Sequence, residues 1–266
     1  MTEKFIRKEK YDINDLNEIM HILRAPDGCP WDAEQTHKSI RKNFIEETYE
    51  VLEAIDNDDP ELLKEELGDV LLQVVFHSNM EEEAGRFNLN DVADGICKKL
   101  IIRHPHVFGD LKVSNSDEVL SNWDDIKKQT KGQKTQTETM NSIPKVFPAL
   151  MRAQKVQQKA KKVGFDWPDI KGALDKLQEE IEELRQAIDK KDQDSCKDEL
   201  GDVFFSAVNI ARFLKLDAEE ALTGSTDKFI SRFSIVEKLA KESGKDMRDM
   251  SLEQLDELWD KAKKEK

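Results

Sequence analysis

The sequence predicts an all-α protein made of two tandem helical bundles, and three observations carry that expectation. Apolar residues recur at helical spacing almost throughout the 266 residues, with only 11 Gly and 7 Pro to interrupt them. No apolar/polar alternation long enough for a strand survives anywhere. The chain also repeats itself. Glu46-Glu47-Thr48-Tyr49-Glu50 followed by Glu66-Leu67-Gly68-Asp69 returns, 133 positions later, as Glu179-Glu180-Ile181-Glu182-Glu183 followed by Glu199-Leu200-Gly201-Asp202. The four tryptophans agree, since Trp31 and Trp123 stand 92 apart, as do Trp167 and Trp259. Halves of this size bury a core without disulfides or structural metal. The expected limits are 1–128 and 146–266, joined by a polar linker at 129–145.

Taken in order, Ile40, Phe44, Thr48, Val51 and Ile55 form a stripe at 3.6-residue spacing, which predicts a helix with one buried face. Asp58-Asp59-Pro60 stops it and starts the next, with Pro in a first turn. There Leu63, Leu67, Val70, Val74 and His77 give the buried stripe, and Leu71, Val75 and Phe76 widen it, so this helix is expected to be central. The second half repeats the pair through Leu174, Leu177, Ile181, Leu184 and Ile188, then Leu200, Val203, Phe204, Ala207 and Val208. Asn88 reads as the cap of a third helix running toward Arg103, with an equivalent from about Asp217 through Phe233. Fourth segments around Trp123 and Trp259 close each unit. From Gln129 to Ser142 the chain is rich in Lys, Gln and Thr and has no period, which predicts a mobile linker.

Charge and cysteine usage narrow the function. The net charge of -14, from 56 acidic and 42 basic residues, repels phosphate backbones and argues against nonspecific nucleic-acid binding. A small phosphorylated ligand stays open, because a bound cation inverts the local charge. Cys29, Cys97 and Cys196 are odd in number and lack a CxxC spacing, which fits a reducing cytosol and excludes a disulfide framework or zinc ribbon. No apolar segment follows the N-terminus as in a signal peptide, and none is long enough to span a bilayer. A soluble cytoplasmic protein is expected.

The acidic repeats carry the chemistry. Glu47 and Glu50 share one helix face, as do Glu66 and Asp69 on the next, so neighbouring helices can bring four carboxylates to one point. Glu180, Glu183, Glu199 and Asp202 repeat the arrangement. A solvated acidic face is the ordinary reading of a single ExxE. Recurrence in identical register, the flanking apolar stripes and a glycine inside each second pair weigh against it. Gly68 and Gly201 each cost ~1 kcal/mol relative to Ala in a helix, and such a glycine is expected to admit another backbone or a ligand. Carboxylates without Cys or His suit Mg²⁺ or Mn²⁺ rather than zinc or copper. A di-iron bundle needs two ExxH pairs, and only Glu34-Gln35-Thr36-His37 matches. Lys99 with Arg103, and Lys228 with Arg232, stand four apart after each cluster and look like clamps for a polyphosphate. Trp123 and Trp259 read either as core anchors or as faces on which a base stacks. Trp31 and Trp167 precede the acidic helices and are placed to line the same pocket. His104 and His106 have no second-half counterpart and read as structural loop residues.

These residues, with Gly28-Cys29-Pro30-Trp31-Asp32, Arg103-His104-Pro105-His106-Val107-Phe108 and Val163-Gly164-Phe165-Asp166-Trp167, resemble the MazG family of nucleoside triphosphate pyrophosphohydrolases in its two-domain form, over nearly the whole chain. The resemblance implies hydrolysis of nucleoside triphosphates between the α and β phosphates, with Mg²⁺ held by the two carboxylate sets. It implies nucleotide contacts from Lys228, Arg232 and Trp259, with Lys176 and Lys197 as further candidates and Lys99, Arg103 and Trp123 as first-half counterparts. It also implies a homodimer. Glu46 or Glu179 is the candidate to orient or deprotonate the attacking water, and the second half is favoured as the active one. The alternative is a non-catalytic nucleotide-binding scaffold or sensor that keeps the metal site.

Overall fold

The computed structural model describes residues 5–130 and 132–264, and among these there is no strand. Met1 to Lys4, which fall in the N-terminal stretch assessed for a signal peptide, and Lys131 of the expected linker lie outside the described residues. The chain divides into two compact units, Met1–Lys127 and Lys128–Lys266.

In the first unit, α1 (Ile13–Arg24) starts in a capping box, with Asp12 accepting from the Asp15 N–H and Asp15 from the Asp12 N–H. A short α2 (Pro30–Glu34) leads to the long pair α3 (Arg41–Asp56) and α4 (Pro60–Glu83), joined by a three-residue turn in which Asp58 takes a left-handed φ of 52°. Asp59 caps α4 and Pro60 fills its first turn, as the Asp-Asp-Pro signal predicts. Then come α5 (Leu89–Arg103), capped by Asn88, α6 (Pro105–Phe108) and α7 (Ser116–Thr130), which carries Trp123. Met20, Ile40, Val75, Phe76 and Met80 make the core of this unit.

The second unit opens with α8 (Gln136–Asn141) and α9 (Ala149–Lys161). The long pair α10 (Ile170–Lys190) and α11 (Gln193–Leu214) follows, then α12 (Ala218–Glu242), a 3₁₀ turn at Met247–Asp249 and α13 (Leu252–Ala262), which carries Trp259. Asp169, Asp192 and Asp217 cap the three long helices. Val236, Ala240, Leu258 and Ala262 are buried where α12 meets α13, with Trp259 packed against them.

Two details depart from the sequence reading. The polar stretch after α7 is not a featureless tether. Thr135 and Glu138 form a capping box that starts α8, Thr139 and Ile143 are buried, and Gln136 donates to the Lys159 carbonyl. The local cap signal outweighs the polar composition. The stripes are also only partly covered within a unit. Ile55, Leu67 and Leu71 remain exposed, as do Leu174, Ile188, Leu200 and Phe204, so the first half of α4 is less central than its apolar character predicts.

Gly28 shows where a glycine is obligatory. A Cβ there would lie 2.2 Å from the Ile22 carbonyl oxygen and 2.5 Å from that of Leu23. Both are backbone atoms of α1 and cannot swing aside. Gly28→Ala is expected to destabilise the first unit by about 2 kcal/mol, the range of overpacking strain, read as a lowered denaturation midpoint.

Candidate active site

Each long hairpin brings its carboxylates together. Oxygens of Glu47, Glu66 and Asp69 lie within 4.8 Å of one another, and so do those of Glu180, Glu199 and Asp202. Glu50 stands close enough to Glu47 and Glu66 to raise the pKa of both, and Glu180 does the same to Glu183 in the second set. The spacing of three on each helix and a short turn between helices suffice for this convergence. Exposure differs within each set: Glu180 is 5% exposed, while Glu50 and Glu183 are on the surface.

The electrostatics record the crowding. Burial, then the charge of Asp69 and the hydrogen bond to Glu50, raise the pKa of Glu47 above the ordinary glutamate value. Burial and the charges of Glu50 and Asp69 do the same for Glu66. Glu183 is raised first by its hydrogen bond to Glu180, then by burial. Carboxylates pressed together so that each resists ionisation make a donor set that a hard divalent cation would relieve, and oxygen-only ligation is what such ions take. The residues therefore fit the implied metal.

The two sites differ in their basic partners. In the second unit Lys176 reaches Glu179 at 2.7 Å and Glu180 at 2.6 Å, and these contacts hold its pKa well above the usual lysine value. Of the expected nucleotide contacts, Lys176 is the one the structure joins to a cluster. Lys197 is exposed on α11, and Lys228 on α12, with Arg232 half-buried one turn later. Trp259 packs against Phe229 at 5.0 Å between ring centroids. In the first unit Lys99 is exposed on α5 and Arg103 lies 5.4 Å over the Trp123 ring, which His104 meets edge-on. Glu46 and Glu179 are both exposed at the margin of their sets, Glu179 paired with Lys176. Trp167 lines a cavity of about 720 Å³ together with Lys176, Glu180 and Asp202. Gly172 seats its ring, since a Cβ there would stand 2.3 Å from Trp167 Cδ1.

Gly68 and Gly201 do not admit a neighbour within their own unit. An added Cβ at either meets nothing within 4 Å, so the expected close approach is absent among the described residues.

Sequence reading missed two groups. Gln157, Asn209, Arg212 and Asp166 border the second-unit cavity. In the first unit, His37 and His77 face each other through Nδ1 at 2.6 Å, His37 Nε2 meets Glu81 at 2.6 Å, and Arg86 forks onto Glu81. Two facing imidazole nitrogens need one shared proton, so a second is unwelcome. Burial and the His37 charge lower the pKa of His77, while Arg86 and then His37 hold that of Glu81 at about 2. For His77, the unfolded chain takes up a proton more readily than the fold, so its stabilisation is lost as pH falls through 6.5. The Glu81 contribution is present above 4.5 and is lost as pH falls toward 2. The thermal midpoint is therefore expected to fall on acidification from pH 7 to 5, and His77→Gln is expected to flatten that slope.

The geometry defines a helical protein with duplicated carboxylate centres, and comparison with known proteins supplies the class. The MazG nucleotide pyrophosphohydrolase domain matches residues 35–108 and 170–236, the segments that hold the two centres. Among relatives, the nucleoside triphosphate pyrophosphohydrolase/pyrophosphatase MazG of Thermotoga maritima is 45% identical over 94% of this chain and 94% of its own. The nucleoside triphosphate pyrophosphohydrolase of Escherichia coli K12 is also 45% identical, over 95% of this chain and 97% of its own. An uncharacterized Bacillus subtilis protein, YabN, is 47% identical over 97% of this chain, which spans 53% of its length. The chain belongs to the MazG family.

Proposed function

We propose that this chain is a nucleoside triphosphate pyrophosphohydrolase that cleaves between the α and β phosphates, giving a nucleoside monophosphate and pyrophosphate. The observation that carries this reading is the convergence of carboxylates from two helices beside Lys176 and a ligand-sized cavity. Glu180, Glu183, Glu199 and Asp202 would hold Mg²⁺ or Mn²⁺, and Glu47, Glu50, Glu66 and Asp69 likewise. Bound there, the ion supplies Lewis-acid polarisation of phosphate oxygens and of a water. The chain's own groups do the rest. Lys176 places positive charge beside the cluster, Lys228 and Arg232 offer a point charge and a planar fork to the phosphates, and Trp259 offers a ring face. Glu179, fixed by Lys176 at the margin of the set, is the candidate to orient or deprotonate the attacking water; Glu46 is its counterpart. Lys197, and Lys99, Arg103 and Trp123 in the first unit, complete the proposed substrate contacts. In-line attack then depends on positioning and charge neutralisation, the two demands of phosphoryl transfer.

The second unit is favoured as the active one, because Lys176 and the cavity stand beside its carboxylates. The apolar faces left open within a unit, among them Leu222, Phe229 and Ile230 of α12, support a homodimer. Among the described residues no helix is long and apolar enough to cross a membrane. With Cys29, Cys97 and Cys196 all free, a cytoplasmic location fits. The test is incubation with a nucleoside triphosphate and Mg²⁺, assaying pyrophosphate and orthophosphate in parallel. Pyrophosphate with the monophosphate supports the proposal. Orthophosphate alone, or binding without turnover, overturns it and leaves the scaffold reading.

A further inference from the structure

We propose that a groove between the C-terminal ends of α9 and α11 binds a polyphosphate anion, apart from the carboxylate centres. The groove shares only Arg212 with the lining of the Trp167 cavity. The site stands on its own geometry and does not depend on the pyrophosphohydrolase reading.

At about 680 Å³ the groove has the size of a small-molecule site and exceeds what a single phosphate needs. Lys161 and Lys162 line it from the end of α9, and Arg212 and Lys215 from the end of α11. In a chain of net charge -14 this is a local reversal of sign. Asp217 is the one acidic group of the lining, and its carboxylate is spent on the Glu219 and Glu220 N–H groups. Arg212 is committed to Asp166, so the three lysines supply the positive charge. Burial holds the Lys162 ammonium below the usual lysine value, a cost that a neighbouring anion would relieve. Gln154 fixes the shape of the groove, its Nε2 donating to the Leu216 carbonyl at 2.9 Å and its Oε1 accepting from the Ala218 N–H at 3.0 Å. Several lysine point charges spread along one groove match an anion with several charged groups, which describes a polyphosphate.

Cations at a helix C-terminus ordinarily answer its open carbonyls. Here the backbone does that itself. The Phe165 N–H bonds the Ala160 carbonyl at 3.2 Å and that of Gly164, at φ 81°, bonds Lys161 at 2.9 Å. At the end of α11 the Leu216 N–H bonds Ala211 at 2.9 Å and that of Lys215, at φ 60°, bonds Arg212 at 3.2 Å. Both ends are closed in this way, so the lysine side chains remain available for a ligand. The duplication agrees. Helices α4 and α11 begin 133 residues apart, and in that register Lys215 corresponds to Glu82 and Arg212 to Asn79. The same bend in the first unit is acidic, with Glu82 against His21 and Glu83 against Arg24, so the fold does not require a basic corner.

The test is a calorimetric titration of the full chain with inorganic pyrophosphate, in buffer freed of metal by a chelating resin. Without metal the carboxylate centres repel an anion, so the signal reports the groove. Saturable binding is expected, weakening as salt is raised. Lys215→Glu and Lys161→Gln are each expected to weaken it about tenfold or more, the worth of one charge-assisted hydrogen bond. Arg232→Gln is expected to leave it unchanged. Circular dichroism checks the fold, and Lys161→Gln decides alone if Lys215→Glu does not fold. Absence of binding in the unmodified protein overturns the proposal, as does unchanged affinity in a folded lysine variant. Loss in Arg232→Gln overturns it too, by placing the anion among the proposed substrate contacts. Orthophosphate bound as tightly as pyrophosphate overturns the polyphosphate assignment. Because nothing is hydrolysed in this assay, its failure leaves the pyrophosphohydrolase reading untouched, and an inactive enzyme leaves the groove untouched.

Discussion

Asp202→Asn is expected to lower pyrophosphate release about a hundredfold or more while leaving the helical fold intact. The size follows from removing one preorganised charge from a centre whose work is electrostatic. Asp202 belongs to the converging set on α11 and also lines the cavity, so its loss touches the cluster where substrate would meet it. Glu183→Gln is expected to act in the same direction, because Glu183 is tied to Glu180 and to the charge of Glu199. Metal supplies a second readout. Saturating Mg²⁺ raises the melting temperature of any protein whose fold it prefers, and the shift is expected to shrink in Asp202→Asn. The matching change Asp69→Asn in the first unit then reports how turnover divides between the halves. A protein lacking both clusters that still releases pyrophosphate at the original rate would falsify the assignment.

Asp166→Ala is expected to cost the second unit about 3 kcal/mol or more, the penalty for orphaning one member of a buried ion pair. The Arg212 side chain is 6% exposed and that of Asp166 13%, and the pair is bidentate. Without Asp166 the guanidinium keeps Asn209 and the face of Phe213, 4.5 Å away, but no counter-charge. Adding Arg212→Met is expected to recover most of the loss, since exchanging both partners for apolar groups is often neutral. Urea denaturation of the two variants checks this. A single variant as stable as the parent would mean that water reaches the pair.

The two groups of residues differ in how far sequence reveals them. The carboxylates were readable because the helix itself does the geometry. Residues three apart share a face, and duplication in one register separated Glu180 and Asp202 from the other acidic side chains. The polar members of the cavity are brought together by tertiary packing instead. Gln157 comes from α9, Asp166 from the following loop, and Asn209 and Arg212 from α11, with no periodic signal linking them. The available clue was a mismatch in the repeat, Asn209 where the first half has Phe76. His37 and His77 are 40 apart and equally silent, and one of them read as part of an apolar stripe. The stripes overpredicted burial because periodicity shows which face is apolar, whereas what covers that face lies elsewhere. Leu67 and Phe204 are exposed for that reason.

The short helix α8 changes where the protein can be divided. Met140 is part of the wall shared with Trp167, and Thr139 and Ile143 are buried, so a fragment begun at residue 146 discards a side of its own cavity. Such a truncation is expected to hold its carboxylates and yet handle nucleotides poorly, whereas one begun at residue 132 keeps the enclosure whole. The seam between the halves lies upstream of α8, and the stretch that resembles a spacer serves as masonry for the second half.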